Sequence, residues 1–155
     1  MGLPDLYSAP GHLIRRCQQI AVAVFMDEFR ARGVTPVQYA ALIAIRERPG
    51  MEQHTLVKYI AIDRSTVGTL LRTMEARELI RRSTPKENQR IKQLYILPAG
   101  INLLDETREA IFRVQERILA PLNAGEREGF LHLLSKVVQL NNELSRAPLR
   151  VNHPE

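Results

Sequence analysis

An abrupt change of hydrophobic period after residue 77 is the feature that most constrains the fold of this chain. Between residues 64 and 77, apolar side chains recur at i, i+3, i+4 and i+7, as on one face of an α-helix; they are Val67, Leu70, Leu71 and Met74. Two short β-type runs follow, Leu79 to Thr84 and Ile91 to Leu97, separated by the polar residues 85–90. The sequence therefore predicts a helix followed by a small β-hairpin.

A shorter helix is predicted just before helix 64–77. Residues 52–60 are amphipathic, and a short turn ending in Ile62 and Asp63 joins the two helices; Asp63 is expected to cap the second one. Upstream, a left-handed glycine, a capping residue and a proline at the first helical position predict a helix at 36–47; they are Gly33, Thr35 and Pro36. Two helices joined by a tight turn and followed by a hairpin indicate a winged helix-turn-helix.

Long helices are predicted on both sides of this unit. Nothing breaks a helix from His12 to Arg32, and residues 20–26 are apolar on every side, which requires burial all round. In so short a chain, part of that surface is expected to meet a second copy. One long helix beyond Pro98-Ala-Gly100 and another at 124–145 follow the hairpin, and the segment from Ala147, with two prolines, is expected to fray.

These elements predict a mainly α fold with a small β-hairpin wing: a winged helix-turn-helix plus a helical dimerisation lobe. The chain, residues 1–155, would act as one unit. Residues 34–98 would form the DNA-binding lobe, and residues 11–32 with 100–146 would form the dimerisation lobe.

Composition excludes several other classes of protein. The one cysteine rules out an internal disulfide framework and suggests a reducing compartment. The first residues lack a signal peptide's basic and apolar regions, and no stretch approaches the roughly 18 apolar residues of a membrane span. The histidines show no paired metal-ligand spacing, and motifs typical of enzymes are missing from the sequence. We expect a soluble cytoplasmic protein that is no enzyme and has no metal or cofactor.

Positive charge is concentrated around the predicted helix and hairpin. The chain has 22 Lys and Arg against 17 Asp and Glu, a net charge of +5. Residues 63–92 hold eight of these basic residues against four acids, and so carry +4 of that excess. Such a patch is typical of proteins that bind nucleic acid, because phosphate neutralisation supplies most non-specific affinity. A solvated charged surface remains the alternative.

The polar face of helix 64–77 favours DNA binding. Short polar side chains let a helix backbone approach a major groove, and arginines reach bases or phosphates; the candidate contacts are Arg64, Ser65, Thr66, Gly68, Thr69 and Arg72. The bracing helix 52–60 would touch phosphate through His54, Thr55 or Lys58. On the wing, the candidates are Lys86, Arg90 and Lys92, with Arg90 suited to a narrow minor groove.

Three motifs together resemble the winged helix-turn-helix regulators of the multiple-antibiotic-resistance regulator (MarR) family. They are Val34-Thr-Pro-Val-Gln-Tyr-Ala-Ala-Leu42, the block from Asp63-Arg-Ser-Thr-Val-Gly to Arg82, and Lys86-Glu-Asn-Gln-Arg-Ile-Lys92 with Pro98-Ala-Gly100. The resemblance covers about residues 11 to 145. It implies a triangular homodimer, joined through the first and last helices, that binds a palindromic operator and usually represses it.

Three positions depart from the family's pattern. Glu78 stands where the family usually has glycine after the recognition helix, and a non-glycine residue in a left-handed cap costs roughly 1 kcal/mol. Asn88 replaces an aspartate that would orient Arg90, although asparagine keeps the turn geometry. Leu97 replaces a capping threonine, so the following helix must begin without a side-chain cap.

The resemblance also implies an effector, since family members commonly respond to small aromatic acids or phenols. His12, Arg15 and Arg16 on the first helix and Tyr39 on the second could hold a carboxylate and a ring. The Arg15-Arg-Cys-Gln-Gln19 stretch resembles the subgroup that controls catabolism of hydroxylated aromatic or pyridine carboxylic acids, including hydroxynicotinate. Alternatively, the arginines are exposed or pair with acids across the dimer, and Tyr39 belongs to the core.

Three further readings stay open. Some relatives sense peroxide through a cysteine in the first helix, but Cys17 shares an apolar face with Leu13, Ile20 and Val24, which favours a buried, unreactive thiol. A winged helix could also be architectural, binding DNA without sequence preference, or could bind a protein partner. The last alternative is an enzyme acting on a small aromatic acid; it and the architectural or partner-binding winged helix are both much less favoured than a regulator.

Overall fold

The computed structural model describes residues 2–86 and 88–151, and most of them are helical. Eight α-helices lie within these ranges: α1 (Leu3–Ser8), α2 (Pro10–Glu28), α3 (Pro36–Glu47), α4 (Gln53–Tyr59), α5 (Arg64–Ala76), α6 (Pro98–Glu106), α7 (Arg108–Leu119) and α8 (Ala124–Leu140). The strands are β1 (Met51–Glu52), β2 (Ile80–Ser83) and β3 (Gln93–Ile96), and 3-10 turns cover Arg30–Arg32 and Asn142–Leu144. The mainly α fold with a β-hairpin is therefore confirmed.

The start of α3 follows the predicted stop and restart. Gly33 has a φ of 58°, in the left-handed region that glycine tolerates best. Thr35 Oγ1 then accepts a hydrogen bond from the Gln38 backbone N–H at 3.3 Å, and Gln38 Oε1 accepts one from the Thr35 N–H at 3.1 Å. With Pro36 at the first helical position, this reciprocal capping box fixes where α3 begins.

The predicted hairpin is part of a three-stranded antiparallel sheet within the described residues, with strand order β1-β3-β2. Leu94 in the central strand pairs with Met51 on one side and with Arg82 on the other. Strand β1 was not predicted from the sequence, because its two residues directly follow the Pro49-Gly50 turn and show no strand period of their own.

Helices α3 to α6 and the sheet share one apolar core. The large side chains at its centre are fully buried; they are Leu42, Ile45, Leu56, Leu71, Met74, Ile80 and Leu94. Gly100 permits the close packing of α6, since a Cβ there would lie 2.4 Å from the Leu79 carbonyl oxygen. Helix α5 and the hairpin are thus packed on the same core.

Three helices end earlier than predicted. Helix α2 stops at Glu28 and continues only as a 3-10 turn. The predicted long helix after residue 98 is interrupted at Thr107, whose hydroxyl donates to the Leu103 carbonyl oxygen at 2.6 Å, a contact that bends helices. Helix α8 ends at Leu140, and a 3-10 turn follows.

Helix α2 contacts its neighbours through packed aromatic rings and through ion pairs. The rings of Phe25 and Phe29 stack at 4.0 Å, and both meet the Tyr39 ring of α3 edge-on. On the α7 side, Arg117 Nη1 lies 2.7 Å from carboxylate oxygens of both Asp27 and Glu28. The end of α2 is therefore fixed against both the winged helix and α7.

The outer helices expose many apolar side chains. Every residue of α8 is exposed or half-buried. Leu133, Val137 and Leu140, at i, i+4 and i+7, are 62%, 47% and 75% exposed. Helix α2 adds Leu13, Ile14, Ile20, Val22 and Met26. Among the described residues, no helix has the length and apolar character needed to cross a membrane.

Candidate nucleic-acid interface

The turn between α4 and α5 sets the start of α5, the predicted recognition helix. Asp63 is the N-cap residue, as predicted, but its side chain makes no capping hydrogen bond within the described chain, which corrects the expected role of its carboxylate. Instead the Thr66 hydroxyl and backbone N–H both donate to the Asp63 carbonyl oxygen, at 2.8 and 3.0 Å. The Thr66 side chain is therefore turned back onto the first turn of α5.

Helix α5 buries one face and presents the other. Val67, Leu71 and Met74 are buried. The candidate contacts on the outer face are exposed, apart from the half-buried Gly68. Arg72 Nη2 donates to Thr69 Oγ1 at 3.1 Å, which holds the guanidinium along the outer face one turn above Thr69. This surface combines small polar groups with arginine, the composition that suits insertion into a major groove.

The wing is stiffened by two polar contacts. Lys92 Nζ donates to Thr84 Oγ1 at 2.7 Å, which ties the two arms of the hairpin. Asn88 Oδ1 accepts a hydrogen bond from the Arg90 backbone N–H at 3.1 Å, so asparagine maintains the turn as expected. Both Lys86 and Arg90 are exposed at this end of the wing.

A basic cleft of about 540 Å³ lies between α4, α5 and the wing. Five predicted contacts from α4, α5 and the wing line it; they are His54, Lys58, Arg64, Arg90 and Lys92. His54 Nδ1 lies 2.9 Å from Glu52 Oε2, and Thr55 Oγ1 lies 3.4 Å from His54 Nε2. Gln53 also lines the cleft. It was not among the predicted contacts, since a lone polar residue at a helix start carries no distinctive sequence signal.

Part of the basic patch is used to hold the fold. Arg82 donates from Nε and Nη2 to Glu75 Oε2, at 2.8 and 2.5 Å, and these hydrogen bonds hold the pKa of Glu75 below its usual value. Arg77 donates to backbone carbonyl oxygens at the α2–α3 junction. The Arg81 guanidinium lies 4.5 Å from the centre of the Tyr95 ring. Fewer positive charges are therefore available to a ligand than the eight basic residues counted in residues 63–92.

The candidate effector residues do not meet within one chain. Tyr39 is buried against Phe25 and Phe29, as the core alternative has it. Arg15 and His12 contact each other at 3.5 Å on the first turns of α2, and Arg16 is exposed beside them. Arg16 precedes Phe25 by nine residues within α2, so their Cα atoms are about 13.5 Å apart along the helix axis.

Cys17 lies in an open apolar groove between α2 and α8. The groove has a volume of about 400 Å³ and is also lined by Leu13, Ile14, Phe130 and Leu134. Cys17 is half-buried there. Across residues 2–86 and 88–151, no group of three His, Cys, Asp or Glu side chains is arranged to hold a metal ion.

The winged helix-turn-helix matches one protein family. The family model described as MarR family matches residues 34–92. Over 134 residues the chain is 30% identical to the HTH-type transcriptional repressor NicR of Pseudomonas putida, a match that covers 86% of this chain and 85% of NicR. This chain belongs to the MarR family. It is thus a member of a family of DNA-binding transcriptional regulators.

Two solved structures extend the similarity over nearly the whole MarR-family chain. A structure concerned with the regulation of DNA binding of Bordetella bronchiseptica BpsR by 6-hydroxynicotinic acid is 28% identical, with a TM-score of 0.77; the match covers 84% of this chain and 94% of BpsR. The PcaV regulator of Streptomyces coelicolor, in complex with its natural ligand, is 29% identical, with a TM-score of 0.77 and coverage of 90% and 98%.

The three departures from the MarR-family pattern have visible consequences. Glu78 has a φ of 54°, so a side chain occupies the left-handed position expected of glycine. Asn88 keeps the wing turn but contacts the Arg90 backbone and not its guanidinium. Leu97, the N-cap residue of α6, offers no side-chain acceptor, and Pro98 at the first helical position leaves one fewer N–H to satisfy.

Proposed function

We propose that this protein is a homodimeric repressor that binds a palindromic operator and is released from it by a small aromatic acid. The observation that supports DNA reading most directly is the exposed outer face of α5, which lies beside the wing and the basic cleft. Small polar side chains allow close approach to base edges, while Arg64, Arg72 and Arg90 supply positive charge from two elements.

A homodimer is the proposed functional unit. The exposed apolar stripe of α8 and the exposed apolar residues of α2 form a surface that a second copy would cover. Two-fold symmetry would place one recognition helix on each half-site, with half-sites about one DNA turn apart. Residues 34–98 would then form the DNA-binding lobe, and residues 11–32 with 100–146 the dimerisation lobe.

An aromatic carboxylic acid is the proposed effector. BpsR is described as regulated by 6-hydroxynicotinic acid, and NicR is a transcriptional repressor. In this chain, His12, Arg15 and Arg16 would bind the carboxylate. Tyr39 would complete the site only if the dimer or a ligand-bound conformation brings these groups together. The acid would act by population shift, binding more tightly to a conformation whose recognition helices are mis-spaced for the operator.

Fluorescence anisotropy with two duplexes tests DNA reading. The purified protein is titrated with DNA from upstream of its own gene and with a scrambled duplex, over a range of salt concentrations. We expect a preference of about a thousandfold or more for the upstream duplex. Equal, salt-sensitive binding to both duplexes would reject a sequence-specific repressor and favour an architectural role.

The effector site is tested by the same titration with 6-hydroxynicotinic acid and a panel of hydroxybenzoic acids. We expect one of these acids to release the wild-type protein from the upstream duplex. Arg16→Ala is expected to bind that duplex normally but to lose the response, whereas the control Arg108→Ala on α7 keeps it. An unchanged effector titration for Arg16→Ala would reject this assignment.

A further inference from the structure

The segment after α8 folds back as an ordered strap. In this C-terminal strap, residues 141–151, Asn142 Oδ1 accepts a hydrogen bond from the Leu149 backbone N–H at 2.9 Å, and Asn142 Nδ2 donates to the Leu149 carbonyl oxygen at 3.1 Å. Arg150 pairs with Glu143, and its hydrogen bonds hold the pKa of Glu143 below the usual value. The expected fraying is therefore wrong for residues 147–151; residues 152–155 lie outside the described part.

The strap docks on the winged helix. The backbone N–H of Arg150 donates to the Lys58 carbonyl oxygen at 2.9 Å, near the C-terminal end of α4, where helix carbonyls lack partners within the helix. Leu149 and Val151 line a shallow groove together with Ile43 and Ile60. The strap thus joins the helix that braces α5.

Docking brings two more arginines to the start of the recognition helix. A cleft of about 480 Å³ is lined by Lys58, Arg64 and Ser65 on the winged-helix side, with the acid Asp63 among them. Arg146 and Arg150 line it from the strap. Arg150 is paired with Glu143, whereas among residues 2–86 and 88–151 none forms an ion pair or hydrogen bond with the exposed Arg146 side chain.

We propose that the C-terminal strap is an additional DNA-contacting element, in which Arg146 binds a backbone phosphate beside the segment read by α5. This inference rests on the proposed function, because it assumes that α5 lies on DNA. Arg64 and Ser65 belong both to the outer face of α5 and to the strap cleft, so the two surfaces are continuous. The Arg146 guanidinium beside Arg64 and Ser65 would contact the phosphate backbone of the same duplex, and such a contact does not distinguish one base from another.

Salt-dependent binding of two strap variants tests the proposal. Arg146→Ala removes the cation but none of the strap's hydrogen bonds, and Asn142→Ala removes the side chain that holds Leu149. For each variant, affinity for the upstream and scrambled duplexes is measured over a range of salt concentrations. Arg108→Ala, which removes an exposed arginine of α7, is the matched control.

We expect both strap variants to bind the two duplexes more weakly by a similar factor. The slope of log affinity against log salt should become shallower by about 0.9 for each lost phosphate contact, or about 1.8 for a dimer. An unchanged slope for Arg146→Ala would overturn the proposal. So would a loss seen with Asn142→Ala alone, since the strap would then only support the fold.

The wild-type titration separates this inference from the proposed function. If the wild-type protein binds both duplexes equally, the sequence-specific repressor fails, while the slope change of Arg146→Ala still reports whether the strap touches DNA. If the wild-type protein prefers the upstream duplex and Arg146→Ala keeps its slope, only the strap contact fails.

Discussion

The guanidinium of Arg77 donates a hydrogen bond to the carbonyl oxygen of Gly33 at 2.6 Å, and a second one to the carbonyl of Arg32 at 2.7 Å. Arg77 caps the end of α5, and Gly33 lies between α2 and α3. The two hydrogen bonds therefore join the end of α5 to the turn between α2 and α3. A shift of the turn between α2 and α3 would move both of these hydrogen-bond acceptors relative to α5.

Replacing Arg77 with alanine tests this connection. Because both hydrogen bonds lie at an exposed site, we expect Arg77→Ala to lower the free energy of unfolding by about 1 kcal/mol. Urea unfolding measures this change. Operator binding should weaken, but the salt slope should stay constant because Arg77 is turned toward the protein. A shallower slope would instead show that Arg77 contacts phosphate.

Glu78 provides a stabilising substitution. Its φ of 54° destabilises the fold by about 1 to 2 kcal/mol when the residue is not glycine. Glycine would remove this strain, but it would also make the unfolded chain more flexible, which offsets part of the stabilisation. We therefore expect Glu78→Gly to raise the free energy of unfolding by about 0.5 to 1 kcal/mol in urea titrations. Gln115→Gly, in the interior of α7, is the control and should destabilise by about 1 kcal/mol. A loss of stability in Glu78→Gly would show that its side chain makes a compensating contact.

Features with a local cause could be predicted from the sequence. The capping box of Thr35, the buried face of α5 and the hairpin arise from residues within a few positions of one another. The left-handed conformation at Glu78 was instead expected from the resemblance to the family, which usually has glycine at this position. These local signals were sufficient to locate the winged helix and its candidate contacts.

Features that depend on distant residues were missed. Strand β1 exists because Met51 pairs with Leu94, and the strap is ordered because Arg150 reaches Lys58. Neither segment has a local pattern strong enough to predict its structure. The hydrogen bonds of Arg77 and Arg82 within the protein were not predicted either, since a count of charges does not show which arginines form intramolecular contacts.

The wing gives a prediction about DNA shape. If Arg90 enters a narrow minor groove, Arg90→Ala should weaken operator binding about tenfold, and the loss should shrink when flanking A·T pairs are replaced by G·C. Anisotropy with the two operators measures this difference. Lys86→Ala, at the same end of the wing, is the control and should weaken binding to both operators equally. An equal loss for Arg90→Ala would indicate a plain phosphate contact.

Acid should weaken the junction of α2 and α7. Hydrogen bonds from Arg117 lower the pKa of Asp27, and those from Arg113 and Arg117 lower the pKa of Glu28, from usual values of 3.8 and 4.5. Carboxylates with lowered pKa stabilise the folded state above their usual values, and this stabilisation is lost as pH falls through the folded values. We expect the urea concentration at the unfolding midpoint to decrease once the pH is lowered below about 4.5. Arg117→Ala should be less stable at neutral pH and show a smaller acid-dependent fall. An equal fall in Arg117→Ala and the wild type would assign acid sensitivity to other groups.

The apolar stripe of α8 predicts the oligomeric state. Leu133 is 62% exposed and lies in line with Val137 and Leu140, so a second copy would bury it. A charge at this position would then be desolvated without a partner, and we expect Leu133→Glu to shift the protein from dimer to monomer in light scattering. Gln139→Glu, on a different face of the same helix, is the control for added negative charge and should remain a dimer. Because a monomer engages one half-site only, Leu133→Glu should also lose most of its operator preference. A monomer that kept full preference for the palindrome would contradict reading by two linked recognition helices.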